Sequence, residues 1–139
     1  MPSTSNYRQQ HRELLEVVGE IQKLLTTDKL ANGGADNARS LLATLSGKLS
    51  VHLAMEDRNL YPAMQGAADT KVSDAATRFS GEMGSLAGAF KDYTRRWPTA
   101  AVIVKDADKF VDETKQVFSA LGKRVEQEES VLYPLAETV

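Results

Sequence analysis

A chain of 139 residues with 17 basic and 19 acidic side chains and no cysteine has room for one domain, spanning residues 1–139, with one core. The missing thiols exclude disulfides, zinc–thiolate sites and iron–sulfur clusters, and a formal net charge of -2 supplies no basic face for nucleic acid. No stretch is apolar for long enough to cross a membrane, and the N-terminal segment lacks the apolar run of a secretory signal, so the expected location is cytoplasmic.

The first helix is expected over about residues 5–27, where Tyr7, His11, Leu14, Leu15, Val18, Ile21, Leu24 and Leu25 recur at helical spacing. Ser3, Thr4, Ser5 and Asn6 offer N-caps, and Asn32-Gly33-Gly34 reads as a turn. A second helix is expected over about residues 36–64, with Leu41, Leu42, Leu45, Leu49, His52, Glu56 and Leu60 along its inward stripe. A third is expected over about residues 70–97, with Val72, Phe79, Met83, Leu86, Phe90, Tyr93 and Trp97 inward and Pro98 as its stop. The β-prone run of residues 100–104 is too isolated to make a sheet and is expected to be an apolar connecting loop. Asp106 is the expected cap of a fourth helix reaching about residue 136, with Phe110, Thr114, Val117, Leu121, Arg124, Glu128 and Leu132 inward. Four long amphipathic segments with short connections predict an all-α, antiparallel up-down four-helix bundle.

Residues 52–62 and 124–134 are two versions of one phrase, 72 positions apart. Each holds a Glu followed by a second acid, Glu56-Asp57 and Glu128-Glu129, and each closes on Leu-Tyr-Pro. Only the first keeps a His four residues before its Glu; the second has Arg124 where the first has His52. The same offset carries Tyr7 onto Phe79, His11 onto Met83, Leu14 onto Leu86 and Val18 onto Phe90. The expected bundle is therefore a duplicated helix pair about a pseudo-two-fold axis, with Glu56 facing Glu128.

His52 and Glu56 lie one helical turn apart and project from one face, a spacing that can hold an ion. His11 comes from the inward stripe of the first helix and Glu128 from that of the fourth. Two imidazoles and two carboxylates converging in a bundle suit iron, manganese or zinc, and the carboxylate content with open coordination positions favours iron. A lone His on an apolar face is more often a hydrogen-bonded core residue, and the H-x-x-x-E spacing alone is common by chance. The combination carries the argument: both histidines of the chain and both repeated glutamates fall on inward stripes. Two buried carboxylates need a positive neighbour, which is a metal, Arg124, or both.

A guanidinium does not ligate a metal, but it can take a carboxylate in bidentate fashion. Arg124 is accordingly expected to balance charge in place of a second ion, with Glu128 shared between it and the metal; the plainer expectation is a side chain that snorkels to solvent. Met83 is expected to fill volume. Glu82 either swings toward the site or is an ordinary surface acid, and Asp57 and Glu129 are expected to face solvent. Tyr61-Pro62 and Tyr133-Pro134 are expected to pack the bundle end and terminate their helices.

Taken together, these residues resemble the hemerythrin-like, or HHE cation-binding, family, over nearly the whole chain. The carriers are His11-Arg12-Glu13-Leu14-Leu15, then His52-Leu53-Ala54-Met55-Glu56-Asp57 with Leu60-Tyr61-Pro62, then Glu128-Glu129 with Leu132-Tyr133-Pro134. The resemblance implies an up-down four-helix bundle around a non-haem di-iron centre, in a family whose members bind dioxygen, sense oxygen or redox state, handle nitric oxide or store iron. It implies that one iron takes His11 and His52, that Glu56 and Glu128 are the bridging carboxylates, and that the second iron's histidines are Met83 (or Phe79) and Arg124 in this chain. Holding dioxygen reversibly as peroxide requires two irons, so a carrier role is not expected.

Three functions compete. The leading one is a cytoplasmic metal-binding module with one iron or an incomplete di-iron site, which responds to dioxygen, nitric oxide or peroxide and passes the change to a protein partner. The second is a metal-free helical interaction module in which Arg124 salt-bridges Glu56 and Glu128. The third is an iron-dependent, peroxidase-like enzyme.

Overall fold

The computed structural model describes residues 3–139, and all regular structure among them is helical. Helix α1 (Ser5–Gln22) buries Tyr7, His11, Leu14, Val17, Val18 and Ile21. It ends earlier than the apolar spacing predicts, because the Thr26 side chain accepts from the Lys29 N–H and starts a new turn, α2 (Thr27–Lys29). The expected break at Asn32-Gly33-Gly34 is present: Gly33 has φ of 94°, which glycine adopts without strain. A Cβ on Gly34 would stand 2.5 Å from the Lys29 carbonyl oxygen.

Helix α3 (Ala35–Met55) does not stop at the first Leu-Tyr-Pro. It passes through a π turn, Glu56–Leu60, into α4 (Tyr61–Gln65). The fourth long helix behaves alike: α7 (Ala107–Gln127) runs through a π turn, Glu128–Leu132, into α8 (Tyr133–Ala136). In these turns the Tyr61 N–H reaches the Glu56 carbonyl and the Tyr133 N–H the Glu128 carbonyl, five residues back. The prolines give the physical reason. A proline inside a regular helix lacks an N–H and crowds the carbonyl four residues earlier; a widened turn relieves that crowding without ending the helix. The expectation that Leu-Tyr-Pro terminates each helix is thus corrected.

Helix α5 (Thr70–Arg96) is capped by Asp69, whose side chain accepts from the Lys71 N–H. Residues 100–104 are not a loop. They belong to α6 (Ala100–Lys105), where the Thr99 hydroxyl caps the Val102 N–H and Ile103 is fully buried. A strong cap and one anchored side chain outweigh the β-propensity of the valines. Asp106 stands at the start of α7 as expected, but its side chain makes no capping bond. No helix among the described residues is long and apolar enough to cross a membrane.

Helix α1 packs on α3, α5 on α7, and α6 against α3. Their buried faces form two apolar clusters. The larger contains Leu14, Ile21, Leu42, Leu49, Phe90, Phe110 and Leu121. The smaller contains Tyr7, Leu60, Tyr61, Phe79, Leu132 and Tyr133. Polar or sulfur-bearing residues mark the passage between them: His11 between Tyr7 and Leu14, His52 and Glu56 between Leu49 and Leu60, Met83 between Phe79 and Phe90, and Arg124 and Glu128 between Leu121 and Leu132. The fold therefore holds a polar layer between two hydrophobic ones.

Candidate metal centre

The polar layer contains His11, His52, Glu56 and Glu128, each with no more than 1% of its surface exposed. One ligand-type atom from each lies within 4.8 Å of the others. His11 Nε2 stands 2.8 Å from Glu128 Oε1 and 3.2 Å from His52 Nε2. His52 Nε2 stands 3.3 Å from Glu56 Oε1 and 3.5 Å from Glu128 Oε1. The four residues picked out in the sequence are brought together.

The outer edges of both imidazoles are fixed. His11 Nδ1 donates to Glu129 Oε2 (2.9 Å) and His52 Nδ1 to Gln10 Oε1 (2.7 Å). A carboxylate and an amide oxygen only accept, so each ring carries its proton on Nδ1 and turns the Nε2 lone pair inward. Gln10 is itself oriented by donating its Nε2 to the Met55 sulfur. Tyr133 adds a donor from the fourth helix: its hydroxyl donates to Glu56 Oε2 at 2.8 Å, and stands 3.3 Å from Glu128 Oε1 and 3.2 Å from His11 Nε2. Tyr7 stacks on Tyr133 and meets the His52 ring edge-on.

Two inward lone pairs and two carboxylates repel one another unless something positive lies among them. In the metal-free chain a proton takes that place. Burial works against a charged His52, but hydrogen bonds and charge from Glu128 and Glu56 outweigh it and lift the imidazole to about 9. Burial likewise opposes ionisation of Glu128, and His11 and His52 outweigh it, so that carboxyl falls to about 2. Glu56 shifts the other way: burial, joined by the Glu128 charge, raises it against the pull of His52 and Tyr133. Burial and the two carboxylates push the Tyr133 hydroxyl up, which keeps it a donor. Glu128 Oε2 still has no hydrogen-bond partner, and Glu56 Oε1 has only His52 Nε2 at 3.3 Å. A nitrogen and oxygen donor set with unsatisfied carboxylate oxygens fits a first-row transition metal ion.

Arg124 is buried but does not face the carboxylates as expected. Its Nη1 donates to Glu82 Oε2 (2.7 Å) and Gln127 Oε1 (3.4 Å), its Nη2 to the Phe79 carbonyl (2.8 Å), and the guanidinium lies 4.3 Å over the Phe79 ring. The side chain is longer than an imidazole and passes the carboxylate layer to reach α5. The expected salt bridges from Arg124 to Glu56 and Glu128, and with them the metal-free module built on those bridges, are corrected. Glu82 is a half-exposed acid that pairs with Arg124. Met83 is buried and fills volume. Asp57 faces solvent as expected, whereas Glu129 does not simply do so: it orients His11 and takes Arg8 Nη1 at 3.6 Å.

Gln10, Glu129 and Tyr133 are the residues that sequence reasoning missed. The signal for Glu129 lies in the paired acids of the repeat, and for Tyr133 in the repeated Leu-Tyr-Pro. Gln10 gives no signal beyond preceding His11. A search of curated proteins and a search of solved structures return no match. The family model described as the hemerythrin HHE cation binding domain matches residues 3–136. With nearly the whole chain under that match and a buried His/Glu group able to hold a cation, the chain belongs to the hemerythrin HHE cation-binding family.

Proposed function

We propose that the chain is a one-domain, antiparallel up-down bundle built from a repeated helix pair, and that it holds a single non-haem iron ion at His11, His52, Glu56 and Glu128. When bound, the ion supplies a redox-active centre with coordination positions left for a small ligand. The chain's own residues hold it in place. Glu129 and Gln10 keep both Nε2 lone pairs turned inward, Tyr133 restrains Glu56, and the two apolar clusters exclude water from either side. The function is response to dioxygen, nitric oxide or peroxide in the cytoplasm, transmitted to a protein partner.

The observation that carries this reading is the convergence of four buried ligand atoms whose outer bonds turn the lone pairs toward one point. A single ion, and not two, is supported by Arg124 and Met83, which stand where the resemblance places histidines; a guanidinium has no lone pair to give. The test is metal analysis of protein expressed with iron. About one ion per chain is expected, lost in His11→Ala and His52→Ala as imidazole ligands are removed. Wild-type protein free of metal, or variants that keep it, would sink the proposal.

A further inference from the structure

The turn between the two histidine-bearing helices has a chemistry of its own. Helix α1 supplies His11 and α3 supplies His52, and the chain between them passes through Asn32-Gly33-Gly34. Asn32 (φ -103°, ψ 40°) and Gly33 (φ 94°) leave helical geometry, and both are exposed. A Cβ on Gly33 would meet no atom within 4 Å, so the space around its amide is open. The residues on either side are anchored: Leu30 is fully buried in the larger cluster, and Gly34 lies against the Lys29 carbonyl.

An asparagine followed by glycine can react with its own backbone. The Gly33 amide nitrogen attacks the Asn32 carboxamide carbon. A new nitrogen–carbon bond closes a cyclic imide, the bond from that carbon to Nδ2 breaks, and Nδ2 leaves as ammonia with the Gly33 amide proton. Water then opens the imide at either carbonyl and leaves an aspartyl or an isoaspartyl residue. No oxidant or cofactor is needed. Closing the ring turns the peptide plane about the asparagine ψ, and a glycine follows that rotation without a Cβ in the way. The other asparagines are Asn6, Asn37 and Asn59, followed by Tyr7, Ala38 and Leu60. All three lie within helical turns, and each following residue is buried. There the ring closes only if the helix opens and withdraws a buried side chain.

We propose that Asn32 is a modification site, where the chain converts its own carboxamide to a carboxylate and so loosens the turn that sets α1 against α3. Asn32 Nδ2 donates to the Asp28 carbonyl at 2.7 Å and to Asp28 Oδ1 at 3.3 Å. The reaction removes that donor and leaves a carboxylate beside the Asp28 carboxylate, a like-charge pair one helical turn apart.

The experiment incubates the full chain at mildly alkaline pH and maps its peptides by mass spectrometry. Asn32 should be converted first, with isoaspartyl as well as aspartyl product, while Asn6, Asn37 and Asn59 stay intact. Gly33→Ala should slow the conversion about ten-fold, as a modest steric penalty on ring closure does. Asn32→Gln, which keeps the amide on a longer tether, should stop it. Asn32→Asp, which supplies the product directly, should speed hydrogen exchange at the amides of residues 28–34 several-fold. Asn32 outlasting the other asparagines, or an aspartyl product with no isoaspartyl form, would overturn the assignment. Exchange in Asn32→Asp that matches wild type would overturn the loosening of the turn.

Discussion

Residues 56–62 and 128–134 share a backbone and differ in their surroundings. Each opens with a buried glutamate and runs through a widened turn into Tyr-Pro. Yet the Tyr133 hydroxyl is held by Glu56 and lies close to Glu128 and His11, while the Tyr61 hydroxyl has no partner. The difference lies across the bundle: Tyr133 meets Glu56 and His11, whereas Tyr61 shares a cluster with Phe79, on which Arg124 stacks. A histidine ends at the carboxylate layer, as His52 does; an arginine overshoots it, as Arg124 does. Proline placement sets the backbone of both turns, and the side chains facing each turn from the opposite helices set what its tyrosine meets.

The comparison can be broken first on the histidine side. If a metal holds that half together, chelation should lower the melting temperature by about 10 °C, the effect of a ligand at about a hundred times its Kd on a chain this long. The stripped protein should also respond to pH. His52 is lifted from 6.5 to about 9 in the fold, so its contribution is complete below pH 6.5 and is lost as pH rises through 9. Glu128 is lowered from 4.5 to about 2, so its contribution holds above pH 4.5 and is lost as pH falls through 2. Melting curves across this range, with and without iron, check both signs.

On the arginine side, Arg124→Ala should cost about 2 kcal/mol in a denaturant melt, less than for a fully buried ion pair because half-exposed Glu82 regains water. If the two halves are independent, this loss adds to that of chelation; a coupling above about 1 kcal/mol would show that they share a network. A smaller change tests the outer bonds of the rings. Glu129→Ala and Gln10→Ala should each weaken iron binding about ten-fold, as removal of a ligand's supporting hydrogen bond does, read by competition with a chelator of known affinity. The smallest effect belongs to the prolines. Pro62→Ala should change stability by less than about 1 kcal/mol; a crystal structure in which the turn of residues 56–60 has closed to a regular helix would confirm proline as the cause of the widening.

The long helices and the four candidate ligands were legible because they are periodic. Leu14, Leu42, Phe90 and Leu121 repeat at the helical interval, and so do His11, His52, Glu56 and Glu128. What periodicity does not encode was read less well. The π turns come from a steric clash between a proline ring and a carbonyl, which leaves the apolar spacing almost unaltered. Residues 100–104 were expected as a loop because valine's β-preference was weighed without the Thr99 cap. The direction of Arg124 depends on side-chain length against the depth of the layer, a distance that no one-dimensional pattern contains. Glu129 was expected in water because it follows an inward residue; it reaches His11 from the rim of the helix.

The sealing of the polar layer also sets its tempo. With His11, His52, Glu56 and Glu128 all but fully shielded, nothing arrives there by free diffusion; a visitor must wait for the helices to breathe. The two widened turns begin at Glu56 and Glu128, so an opening of either would move one of the four side chains with it. An ion or ligand held in such a layer would exchange at the rate of helix opening rather than of diffusion.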